Sequence, residues 1–77
     1  MSTQAPTPDV PAEIRAEMAR RGWSVQDLAE RAGIHRVTLY RRLGGDGLLT
    51  MAELVKVCTA FGIDVSAFVA RAEAVAA

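Results

Sequence analysis

One cysteine, one histidine, three prolines and only four aromatic side chains are found among the 77 residues of this sequence. A lone cysteine forms no internal disulfide, and no His/Cys cluster has the spacing of a zinc site. The fold must therefore be held by packing alone, or partly by a second subunit. No apolar run approaches the ~18–20 residues that cross a bilayer, so no membrane contact is expected. The N-terminus lacks the charged and apolar regions of a signal peptide, which makes a soluble cytoplasmic protein the expectation. Period-two alternation is absent and β-branched residues are scattered, which argues against a β-sandwich. No nucleophile set, paired-carboxylate pocket or metal cluster is visible. An enzyme, a cofactor and a small-molecule substrate are accordingly not expected.

What is present is apolar content of 51%, dominated by Ala, Val and Leu, enough for one small all-α core. The net charge of zero argues mildly against nucleic acid. Its distribution reverses that inference. From Arg20 to Leu43 there are six basic residues (Arg20, Arg21, Arg31, Arg36, Arg41, Arg42) against two acids, Asp27 and Glu30, a local +4. The remainder carries three basic and seven acidic residues, a compensating −4. Such a chain can turn a basic face to phosphates while remaining neutral as a whole.

Residues 1–9 begin MSTQAPTP, polar and Pro-rich, and read as a flexible arm ahead of a single domain over 10–77. Asp9 offers a helix cap, and Val10, Ile14 and Met18 then recur on one face. Gly22 ends that helix, with Arg20 and Arg21 in its last turn, where cations suit the dipole. The next helix starts repeat one device, a capping residue between two apolar residues at hydrophobic-staple spacing. The pairs are Trp23/Leu28 around Ser24, Ile34/Leu39 around His35, Leu49/Leu54 around Thr50 and Ile63/Phe68 around Asp64. Thr50 with Glu53 makes a capping box, Ser24 with Asp27 a shorter-armed one, and His35 is the weakest cap. The spacing predicts five helices, at Val10–Arg21, Val25–Ala32, Arg36–Leu43, Met51–Phe61 and Val65–Ala74. Only the second and third are joined tightly, through Ala32-Gly33-Ile34, with the small Ala29 allowing close approach. Gly44-Gly45-Asp46-Gly47 reads as a flexible loop; it lacks the lysine and preceding strand of a phosphate-binding loop.

On the third helix, at about 100° per residue, Leu39 and Leu43 define the buried stripe. Val37 and Arg41 lie opposite, with Tyr40 on one flank and Thr38 and Arg42 on the other. Arg36 angles toward the core side, but its long side chain can reach outward from the first turn. An outer face of Arg, Val, Thr, Tyr and Arg with no acid is unusual for a merely solvated helix. It suits the major groove, where Arg pairs bidentately with guanine and a small apolar group meets a thymine methyl.

The stretch Ser24 to Leu43, SVQDLAERAGIHRVTLYRRL, resembles the helix-turn-helix of the lambda-repressor-like, Cro/cI-type family of phage and bacterial regulators. The match lies in Leu28-Ala29, Gly33-Ile34 and Leu39, and LLTMAELVKVCTAFGIDVSAF is similar to the family's fourth helix and the start of its fifth. TLYRRLGGDG has a looser similarity to immunity repressors of actinobacterial phages, in keeping with eight Arg against one Lys. The resemblance implies a compact five-helix bundle that binds a double-stranded DNA operator. It places Arg36, Val37 and Arg41 where relatives read base edges. It places His35, Thr38, Tyr40 and Arg42 near the sugar-phosphate backbone, and aims the starts of the second helix (Ser24, Gln26) and fourth helix (Thr50, Met51) at phosphates. Arg42 departs from the family's frequent apolar residue, and Val25 stands where relatives often carry Gln.

Plainer readings stand beside these. The arginines can be solvated or paired with Glu30 and Asp27, Tyr40 can cover the core edge, and His35 can be only a cap. Trp23 reads as structural, packed on Leu28, and Cys58 as a buried thiol. Val65, Val69, Ala72 and Val75 are surplus apolar residues of the last helix, either a homodimer face or a core face. A transcriptional regulator is the first functional reading; an antitoxin or anti-repressor that grips a protein with the same fold is the second.

Overall fold

Every expected cap forms, and with it every expected helix. The computed structural model describes residues 9–76 as α1 (Val10–Arg21), α2 (Val25–Ala32), α3 (Arg36–Leu43), α4 (Met51–Phe61) and α5 (Val65–Ala76). Met1–Pro8, read as the arm, and Ala77 lie outside the described residues; Asp9 is the N-cap of α1, its carboxylate accepting from the Ala12 N–H at 3.0 Å. Ser24/Asp27 and Thr50/Glu53 both close as reciprocal capping boxes. Asp64 starts α5 by accepting from the N–H groups of Ser66 at 3.1 Å and Ala67 at 3.3 Å. The last helix runs to Ala76, two residues past its expected end, because nothing in its Ala-rich tail stops it.

The residues of all four staples reach the core. Leu28, Leu39, Leu54 and Phe68 are buried, and Trp23, Ile34, Leu49 and Ile63 pack against them from the half-exposed rim. Each helix also gives the core one side chain at 0% exposure: Ile14, Leu28, Leu39, Val57 and Phe68. The principal packing contacts run from α1 to α3, α2, α4, α5 and back to α1, a closed ring. In that ring α3 is gripped on its flanks by α1 and α2, leaving its outer face free. Trp23 stacks on Phe61, with ring centroids 5.5 Å apart, a partner 38 positions away that the sequence did not suggest. The guanidinium of Arg31 covers Trp23 at 4.3 Å. Cys58 is buried, and burial pushes its thiol above the usual range, as an inert core thiol requires.

Two features were not expected. Glu13 and Glu17 are buried on α1, where Glu17 accepts from Arg20, Arg21 and, across to α5, Arg71 at 3.1 Å. Arg20 also reaches Glu13 at 2.9 Å. Gly44–Gly47 is not a loose loop either. The N–H groups of Gly44, Gly45 and Asp46 return to the carbonyls of Tyr40, Arg42 and Arg41, and the Arg15 guanidinium donates to the Leu43 carbonyl. Among the described residues no helix is long and apolar enough to cross a membrane.

Candidate nucleic-acid interface

The turn between α2 and α3 is built by Gly33, whose φ of 69° lies in the left-handed region that favours glycine. The Ile34 N–H then bonds the Ala29 carbonyl at 3.1 Å, and Ala29 is 4% exposed, so the helices meet closely. His35 caps α3 with Nδ1 accepting from the Val37 N–H at 3.3 Å. An accepting Nδ1 leaves the Nε2 proton as the ring's donor. Leu39 and Leu43 turn inward, at 0% and 6% exposure, fixing which side of α3 faces out.

That outer side carries Arg36, Val37, Tyr40 and Arg41, all exposed. A groove of about 430 Å³ lies between it and the start of α2, lined by Ser24, Val25, Gln26, Arg36, Val37 and Tyr40. Five of the residues singled out from sequence therefore share one concavity. Val25, standing where relatives often have Gln, makes its floor apolar. Thr38 is half-buried on the other flank. The N–H groups opening α2 have no intrahelical acceptors, an arrangement suited to anions. The Ser24 oxygen accepts from the Asp27 N–H at 3.1 Å, and the Gln26 amide runs along α2 to Glu30 at 3.3 Å. The Ser24 N–H donates to the Asp27 carboxylate, and this bond first, with the Ser24 hydroxyl second, holds that carboxyl below its ordinary range. Asp27 thus brings a negative charge to this end of α2, which weakens its pull on phosphate.

The arginines separate by environment. Arg36 is exposed, and no carboxylate among the described residues pairs with it. Arg41 is also exposed, but its Nε donates to Asp46 at 3.1 Å. Asp46 was missed in the sequence, where its glycine neighbours read as looseness. Arg42 is paired as well. Its side chain is only 27% exposed and its Nε donates at 3.2 Å to Glu53, the capping-box acid of α4. Glu53 lies below the ordinary carboxylate range chiefly through the Thr50 N–H, then through Arg42. Arg42 therefore ties α3 to α4, a partner that the helical wheel did not show. Arg20 and Arg21 correct the charge argument. Both spend their charge on buried acids of α1, so the +4 segment does not form one continuous basic face.

Thr50 stands at the start of α4, exposed, its hydroxyl oxygen accepting from the Glu53 N–H at 3.1 Å. Beside it Leu48 and Met51 are 90% and 68% exposed; of this apolar pair the sequence pointed only to Met51, and only for its backbone N–H. The residues considered for self-association divide. Ala72, at 2% exposure, is buried within the chain, because α5 lies on α1 there. Val65 and Val69 pack partly on the core, and only Val75, at 77%, is well exposed. A four-residue free face on α5 does not exist in this fold.

Comparison with known proteins agrees with this geometry. The family described as Cro/C1-type HTH DNA-binding domain matches residues 13–69, from the first turn of α1 into α5. No curated protein matches the chain.

Proposed function

The chain belongs to the Cro/C1-type helix-turn-helix DNA-binding family, and we propose that it is a sequence-specific regulator of transcription, of the phage-repressor or Cro-like kind, which lays α3 in the major groove. The observation that carries this reading is the exposed outer face of α3 sharing a groove with the start of α2. In the proposal Arg36 and Arg41 read guanine edges and Val37 meets a thymine methyl. Ser24, Gln26, His35, Thr38, Tyr40 and Thr50 set the register against the backbone, supported by the N–H groups opening α2 and α4. Arg42 has no part in it. One such domain covers little DNA, so tight binding calls for two copies on half-sites about one helical turn apart. The place of action is a bacterial host's cytoplasm or nucleoid.

A selection from random duplexes tests this directly. The wild-type chain should enrich one sequence, palindromic if two copies bind, with affinity falling steeply as salt rises. Arg41→Ala should lose about 1–3 kcal/mol on that site and relax preference at one base pair. Equal binding of selected and random DNA by Arg41→Ala and wild type would remove the reading face from α3. The second reading, a protein-gripping module such as an antitoxin or anti-repressor, draws on the exposed Leu48 and Met51. It requires that no salt-dependent duplex binding be found.

A further inference from the structure

We propose that Asp46 is a positioning residue for base reading: it holds the Arg41 guanidinium by Nε and leaves the two terminal nitrogens as the fork that meets guanine. This rests on the DNA-reading proposal above and adds a residue to it. Arg41 Nε lies 3.1 Å from Asp46 Oδ2. The pair is exposed, the Arg41 side chain at 60% and Asp46 at 72%, so as a source of stability it is worth little. Its geometry is nonetheless specified by the backbone. The Asp46 N–H bonds the Arg41 carbonyl at 2.9 Å, which fastens the acid's main chain to that of the residue it pairs with. Gly45 and Gly47 on either side have φ of 88° and 97°, conformations that bring the chain back across the end of α3.

The chemistry gives this arrangement a use. A free arginine on a helix surface samples many rotamers, and freezing them costs affinity when the base is met. A carboxylate on Nε removes that freedom beforehand and occupies one of five N–H donors, leaving the end-on pair for guanine N7 and O6. It also sets one negative charge beside the groove. That charge weakens attachment to any phosphate backbone alike, which lowers overall affinity, so the gain in selectivity comes from the held fork alone.

The test uses the site selected by the wild-type chain. Wild type, Asp46→Asn, Arg41→Ala and the double variant are titrated, at one salt concentration, with that site, with the site changed at the guanine sensitive to Arg41→Ala, and with random duplex. Asp46→Asn should lower the site-over-changed-site ratio by about two- to fivefold, as much as an exposed pair can supply. It should bind random duplex about two- to threefold more tightly, one like charge having gone. In the Arg41→Ala background it should leave the ratio unchanged, which a merely structural role for the loop would not do. A ratio unaltered by Asp46→Asn, or a loss that persists without Arg41, overturns the inference while leaving DNA reading intact. Failure of the wild-type chain to enrich any sequence overturns both.

Discussion

Arg36, Arg41 and Arg42 lie on one short helix, yet their guanidinium groups have three different surroundings. Arg36 is exposed, Arg41 is exposed and steadied by Asp46, and Arg42 is folded against Glu53. A helical wheel gives direction but not partners, so from sequence the three looked like variants of one role. Their neighbours separate them. Arg36→Ala should leave stability within about 0.5 kcal/mol, as at most exposed sites, but lose about 1–3 kcal/mol on the selected site and relax preference at one base pair. Arg42→Ala should do the reverse. It removes a half-buried pair and the packing of a long side chain, costing about 1 kcal/mol in urea unfolding, with the salt slope unchanged. A salt slope lowered by about one in Arg42→Ala would return Arg42 to the phosphate contacts.

At the scale of elements, α3 owes its orientation to a few buried atoms and one backbone conformation. Leu39 is fully buried where α1 and α2 grip α3, so Leu39→Ala should cost about 2–5 kcal/mol. At Gly33 an added Cβ would meet nothing within 4 Å, leaving the φ of 69° as the only obstacle. Gly33→Ala should therefore cost about 1–2 kcal/mol, read from the shift in urea midpoint. A shift as large as that of Leu39→Ala would mean that the α2–α3 packing had moved. These elements were legible because their signals are local: a cap, a staple partner and a left-handed glycine all lie within a few residues of one another. What was not legible joins distant positions. The Arg71–Glu17 pair spans 54 residues, Arg21 reaches the Phe61 carbonyl 40 residues on, and Ala72 of α5 is covered only because α1 lies against it. Among the candidate site residues, the groove set followed from the wheel and the turn. The exclusion of Arg42 and the addition of Asp46 needed the path of the chain after Leu43.

For the whole molecule, neutrality is arranged by pairing as much as by separation of faces, and this sets its response to acid. Glu17 is drawn below its ordinary range first by the Arg21 hydrogen bond and next by Arg20, with burial opposing. Asp27 and Glu53 are lowered chiefly by the backbone N–H of their capping boxes, and Asp64 by the Ser66 hydroxyl, then the Ala67 N–H. In all four the folded chain binds its proton less readily than the unfolded chain. Their contribution is then complete above the unfolded range, about 3.9–4.3, and is lost as pH falls through the lower folded values. Urea midpoints should stay level near neutral pH and drop steadily below about pH 4.5. Glu17 is the one that joins two helices, accepting from Arg20 and Arg21 on α1 and Arg71 on α5. Glu17→Gln keeps the shape and removes the charge that protonation would remove. At neutral pH it should cost about 1 kcal/mol, since water around Arg20 and Arg71 weakens their share. It should also flatten the acid limb of the stability profile, because one of the four titrating groups has gone. A variant that loses stability at neutral pH but keeps the full wild-type acid slope would show that Glu17 acts through packing, and that the caps alone carry the response to acid.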